Sequence, residues 1–327
     1  MDVKTKARDA ARPAAHAGEV QAVEAPTALA NTATDVLANL RGAALMVIAM
    51  GCFAVEDALI KGLSARISPA QIIWMLGLGG AGAFAAWMAL RGDPVLSRDY
   101  LRPRVLIRST CEVVGALFFV SALALIPLSL ASAIIQATPL VVAMGAALFL
   151  GADVGWRRWA AILSGFVGVL IILRPGATGF DPATLLAVAG MLALAIRDLV
   201  TRNMPASVSG TRLSLAAFAV LVPGGMALQL LQGVPFVPPD PAEMAILALC
   251  VAIGMAGYIT IVGATRTGDI ALVSSFRYSR MVFALLIGVL VFAEQPDTAT
   301  LVGVGIVIAS GLYTLIREAR LRRASQP

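Results

Sequence analysis

The sequence predicts an all-α polytopic membrane protein with ten transmembrane helices arranged as two inverted five-helix repeats. Three observations carry that expectation. The 327 residues are 59% hydrophobic and only 13% charged, more apolar than an average soluble domain. Ten apolar runs approach the ~20 residues that span a bilayer as a helix. A polar motif recurs inside them: Asp57 with Lys61 four residues on is matched, 141 residues later, by Asp198 with Arg202.

The match continues at a separation of 141 or 142 through Ser68 and Ser209, Gln71 and Arg212, Gly115 and Gly257, Val120 and Val262, and Ser132 and Ser274. Each half holds five runs, an odd number, so the second half enters the membrane upside down. Two apolar halves with matched polar positions are the signature of secondary transporters, whose substrate site lies at the repeat interface.

Residues 1–38 are rich in Ala, Pro, Thr and charge, and read as a disordered cytoplasmic tail. The spans follow at roughly 42–64, 70–90, 104–124, 129–150 and 156–174, a first repeat within 39–176. A second repeat, 177–317, holds 183–203, 211–231, 243–264, 270–292 and 298–316, and 318–327 is a basic cytoplasmic tail. Connectors such as Gly92-Asp93-Pro94, Ile126-Pro127, Arg174-Pro175-Gly176 and Pro235 to Pro241 have helix-breaking composition. Gly77, Gly79, Gly80 and Gly82, Gly165 with Gly168, and Gly303 with Gly305 form small-residue rows suited to close helix packing.

Charge sets the orientation. With both termini cytoplasmic, twenty of the twenty-five Lys and Arg fall on the inner side, Lys61, Arg66 and Arg174 on the outer, and Arg277 and Arg280 inside the ninth run. Trp156 and Trp159 flank Arg157 and Arg158 at an inner boundary. The net charge of +6 therefore orients helices, and a nucleic-acid partner is excluded. Cys52, Cys111 and Cys250 sit singly in apolar runs as small core residues. The only histidine is His16, in the tail, which leaves no His for a metal site, triad or proton relay in the membrane. No enzyme, metal or cofactor is expected.

Ionisable residues inside a bilayer are costly and default to a functional reading. Asp57 and Lys61 lie in the outer half of the first run, and Asp198 and Arg202 in the inner half of the sixth, as candidate gates; the alternative is a local i,i+4 ion pair. Glu56 joins them, with Arg197 of opposite sign as its repeat mate. Arg108 and Glu112 stand one turn apart in the third run, and Glu112 is a candidate carrier of a coupling proton. Arg277, Tyr278 and Arg280 form the sharpest polar cluster, needing anionic or hydrogen-bonding partners, with Glu56, Asp57 and Glu112 available. Gln136, the mate of Tyr278, is placed on an opposite wall. Trp74 and Tyr258 offer aromatic faces to a planar ligand.

From Ala122 the order Ala-Leu-Ala-Leu-Ile-Pro-Leu-Ser-Leu-Ala-Ser-Ala, then Thr138-Pro139-Leu140, Phe149-Leu150-Gly151, Arg158-Trp159, Gly165-Phe166-Val167-Gly168 and Arg174-Pro175-Gly176, resembles the drug/metabolite transporter superfamily, EamA type. The resemblance covers residues 41–316 and implies ten helices in two repeats. Asp57 with Lys61, Arg108, Asp198, Arg277-Tyr278 and the Glu294 to Asp297 turn are similar to the branch containing S-adenosylmethionine uptake carriers. Where the family usually has Glu after Leu-Gly in the first repeat, Ala152 and then Asp153 stand here; the second repeat keeps the acid as Glu294.

The resulting expectation is a secondary transporter of a bacterial-type cytoplasmic membrane, lodged in the lipid bilayer, taking up a small planar or zwitterionic metabolite by alternating access. The alternative is an exporter of metabolites, amino acids or amphiphiles; a different class is a channel or non-transporting scaffold. Monomer and homodimer stay open.

Overall fold

The computed structural model describes residues 25–149, 155–174, 180–202, 204–205, 208–265, 267 and 270–324. Among them every regular element is helical. In chain order these are α1 (Ala25–Leu63), α2 (Pro69–Leu90), α3 (Pro103–Leu125), α4 (Leu128–Ile135), α5 (Thr138–Phe149), α6 (Trp156–Leu173) and α7 (Thr184–Arg202). They continue with α8 (Gly210–Leu231), α9 (Pro241–Thr265), α10 (Ile270–Ser275), α11 (Ser279–Phe292) and α12 (Thr298–Ala324). Among the described residues eight stretches are long and apolar enough to cross a membrane, counting Leu128–Phe149 and Val273–Phe292 as one each. α6 and α12 contribute the shorter apolar stretches Trp159–Leu173 and Thr298–Thr314.

Both ends of the chain are more helical than the sequence reading held. α1 starts at Ala25 rather than near residue 39, since Ala25 to Ala38 is rich in the best helix former and Pro26 falls in the tolerant first turn. α12 runs on to Ala324 through its basic end.

Local chemistry places the helix starts. Ser68 caps α2, accepting from the Gln71 amide at 3.2 Å. Its repeat mate Ser209 caps α8 by accepting from Arg212 at 3.3 Å. These side chains satisfy amides that have no partner inside the helix.

Four antiparallel pairs build the bundle: α1 with α9, α2 with α8, α3 with α7 and α6 with α12. Small residues set their closeness. Gly77 faces Leu221 and Gly225 faces Trp74 across α2 and α8, while Gly115 faces Leu194 across α3 and α7. α6 crosses α12 just as closely. A Cβ on Gly168 would lie 2.9 Å from the Gly303 carbonyl oxygen, and one on Gly303 would lie 2.7 Å from that of Gly168, so the two backbones touch. Gly82 and Gly305 meet nothing.

The most enclosed span is the broken rod α4–α5. Of Leu128–Phe149, 67% is buried, against 17% of Pro241–Thr265, so the former runs through the middle and the latter faces outward. The main core gathers where α1 ends, α2 begins, α3 ends and α4 begins, with Ile67, Ile72, Leu123, Leu128 and Ile134 fully buried. That half, the Arg66 end, is solid. The opposite half holds three smaller apolar clusters and a cavity between them and the helix breaks.

Candidate functional site

Two helices break in mid-bundle, and the breaks meet. Pro139 has no amide to donate to the Ile135 carbonyl, and the Thr138 hydroxyl donates there instead. α4 thus ends at Ile135 and α5 begins at Thr138. In the second half a single 3-10 turn, Phe276–Tyr278, separates α10 from α11. Gln136 sits at the first break, and its Nε2 donates to the Arg277 carbonyl oxygen at the second over 2.9 Å.

Beside this junction lies a cavity of about 450 Å³, walled by both breaks, by α7 and by α12. That is the size range of metabolite pockets. Gln136, Asp198, Arg277, Tyr278 and Arg280, all singled out from sequence, line it. Arg197, Thr138, Ser274 and Thr314 line it too. From sequence Arg197 stands out only as the mate of Glu56, and the hydroxyls carry no sequence signal apart from the Thr138-Pro139 pair.

The charges around the cavity form a belt. Arg280 Nη2 bonds Asp57 Oδ2 at 2.6 Å, and its guanidinium stands 5.5 Å from the Phe53 ring centroid. Arg197 bonds Glu112 Oε1 and Asp198 Oδ1, each at 2.8 Å. Arg108 lies 3.6 Å from Glu112 and also donates to the Thr201 hydroxyl and the Leu213 carbonyl oxygen. Arg277 is exposed toward the cavity, and its guanidinium has neither ion pair nor hydrogen bond among the described residues. The Tyr278 hydroxyl and Ser132 Oγ are buried without partners there.

Several expected pairings dissolve in this belt. Asp57 and Lys61 do not pair with each other: Lys61 Nζ donates to the Leu123 and Ile126 carbonyl oxygens at 3.0 and 2.6 Å, filling the open C-terminus of α3. Glu56 does not meet Arg197; it packs on Gly254 of α9, where a Cβ would come 2.9 Å from its Oε1. Glu112 is bracketed by two arginines, the alternative to a free proton carrier. Trp74 and Tyr258 lie outside the cavity lining. Trp74 donates to Gln229 at 2.8 Å and stacks near Phe236, and Tyr258 stands edge-on to Phe84. The Arg202 side chain, Ala152 and Asp153 fall outside the described residues.

The Arg66 end is tied across the bundle. Arg66 bonds Glu243, Gln71 exchanges hydrogen bonds with the Val237 backbone at 2.6 and 3.0 Å, and Arg174 bonds Asp297. That hydrogen bond from Arg174, with help from the Thr300 amide, holds the Asp297 carboxyl below the usual carboxylate range. Glu294 accepts from the Leu128 and Ser129 amides and the Ser129 hydroxyl, capping α4 from the other half of the chain. The sequence offered Glu294 as a family position without this partner.

The model of the EamA-like transporter family matches the chain twice, over residues 40–174 and 181–316. The chain belongs to the EamA-like transporter family. Among curated proteins, a riboflavin transporter of Rhizobium johnstonii is 27% identical over 287 residues, covering 86% of this chain and 93% of that one. An S-adenosylmethionine uptake transporter of Rickettsia prowazekii is 21% identical over 86% and 94% of the two. A pseudopaline exporter of Pseudomonas aeruginosa is 28% identical over 85% and 97%. One crystal structure, 21% identical, aligns with a TM-score of 0.60 over 86% of this chain and 98% of its own, and so shares the fold. EamA-like membership and the apolar helices make this a multi-pass membrane protein of a bacterial transporter family.

Proposed function

We propose that this EamA-like protein is a secondary active transporter that carries a small organic metabolite across the cytoplasmic membrane by alternating access, in the uptake direction. The observation that carries it is the cavity at the junction of two broken helices, set to one side of a bundle that Lys61, Gln71 and Arg66 tie together at the other. Discontinuous helices are how carriers of this kind build a midplane site from backbone and charge.

An inverted ten-helix repeat is the arrangement we assign. Mates related by a twofold axis in the membrane plane must run antiparallel where they touch, and α2 with α8 and α6 with α12 do so. α1 on α9 becomes α7 on α3 under the same operation. The repeats are 39–176 and 177–317. With both termini cytoplasmic, the Arg66 end is external and the half holding the cavity internal.

Uptake rests on the relative named for S-adenosylmethionine uptake; the pseudopaline exporter supports the second reading, export. Protons are the coupling ion we assign, and Glu56 their carrier, because it is a membrane carboxylate without an ion pair among the described residues. Proteoliposomes holding the pure protein test the reading with labelled S-adenosylmethionine, riboflavin and an amino-acid mixture. Saturable counterflow of any of them is expected; leak that never saturates, equal for all solutes, would point to a channel, and none at all to a scaffold.

A further inference from the structure

Resting on that reading of the cavity, we infer that the substrate is a carboxylate-bearing molecule, held head-first by the guanidinium of Arg277. Among the described residues the charge inventory around the cavity leaves this one vacancy. Arg280 is matched by Asp57, and Arg197 and Arg108 share Glu112 and Asp198. Glu56 packs on α9 and does not line the cavity. A guanidinium keeps its proton in any protein setting, so in a membrane interior Arg277, attracted by Asp198 but bonded to no carboxylate among the described residues, draws the rest of its counter-charge from water or from ligand.

The fork is aimed rather than loose. Its residue sits in the single 3-10 turn between α10 and α11, and Gln136 holds its carbonyl oxygen from the opposite wall. A planar carboxylate matches a guanidinium by two parallel charge-assisted hydrogen bonds. The hydroxyls of Thr138 and Ser274 border the same space and can donate to what the fork leaves over. Leu194, Ile135 and Val142 give the remaining wall an apolar surface, suited to the body of an organic acid or amino acid.

One free guanidinium also selects the charge. A phosphate monoester carries nearly two negative charges at neutral pH, and the neighbouring arginines are already engaged by carboxylates. A monoanion therefore fits better than a phosphate.

Phenylglyoxal adds to accessible guanidiniums and is read by peptide mass spectrometry on the full chain in nanodiscs. Arg277 should be modified several-fold faster than Arg197 and Arg280. Phenylacetate should slow that modification several-fold, and phenylacetamide, its neutral isostere, and inorganic phosphate should not. Equal slowing by the amide, equal slowing by phosphate, or an Arg277 no more reactive than its paired neighbours would each overturn the assignment. Arg277→Gln guards against a folding artefact: its Arg197 and Arg280 labelling should stay unchanged by phenylacetate. Counterflow in liposomes separates the two levels, because saturable exchange with no preference of Arg277 for the anion sinks this inference and leaves the transport reading standing.

Discussion

At the scale of single residues, the membrane makes each charge account for itself, and the accounts predict different outcomes for neighbours. Asp57 is 5% exposed and bonded to Arg280. Asp57→Asn leaves a buried guanidinium alone, a loss of roughly 3–5 kcal/mol for pairs of this type. Lower thermal stability in detergent is expected, with partial recovery in the Asp57→Asn, Arg280→Gln double variant; a fully stable single variant would show that the pair is dispensable. Glu56 and Glu112 separate by function. Glu56→Gln should abolish proton-driven accumulation and spare counterflow, whereas Glu112→Gln should lower stability, because Arg197 and Arg108 lose their shared partner. Accumulation retained by Glu56→Gln would remove Glu56 from coupling. The sequence revealed these residues because a charge inside an apolar run has few bland explanations. Some partners were legible as well: Asp57, one of three carboxylates open to the Arg277 and Arg280 cluster, binds Arg280 across 223 positions, and it does so instead of pairing with Lys61 one turn away. Trp74 and Tyr258 illustrate the opposite limit, since an aromatic in an apolar helix looks the same facing a ligand or facing Phe84.

At the scale of elements, spans were readable from apolar length, and their closeness from small residues. What length could not show is where a rod breaks. Thr138-Pro139 lies inside an unbroken apolar run, and the 3-10 turn at Phe276–Tyr278 has no proline at all. The α6 and α12 contact turns the glycine rows into a measurement. Gly168→Val forces side-chain atoms against the Gly303 carbonyl, and overpacking of this kind costs about 1–3 kcal/mol. Gly305→Val, with open space at its Cβ, should leave the melting temperature within error of wild type. Equal effects of the two would contradict the packing described for this pair.

At the scale of the whole molecule, the two halves of the belt are fastened unequally. Lys61 closes the end of α3, Glu294 caps α4, and Gln71 and Arg66 hold the segment around Val237 to Glu243, all at the Arg66 end. The cavity lies on the other side of the helix breaks, among Val142, Thr201, Ser274 and Thr314. In the assigned orientation this is an inward-facing carrier. Single cysteines placed in a variant lacking Cys52, Cys111 and Cys250 test it. Ser274→Cys, half-buried on the cavity wall, should react with a membrane-impermeant maleimide only from the face bearing the termini, and the buried Ser129→Cys from neither. Glu294→Gln loosens one fastening by removing the charge that α4's first amides and the Ser129 hydroxyl share. Charge-assisted hydrogen bonds of that type contribute about 1.5–3 kcal/mol, enough to shift a two-state population more than tenfold. The variant should therefore expose Ser129→Cys from the Arg66 face and reduce labelling of Ser274→Cys from the other. If Glu294→Gln raises reactivity at both ends together, the bundle has merely loosened, and the fastenings hold the fold rather than choose the face.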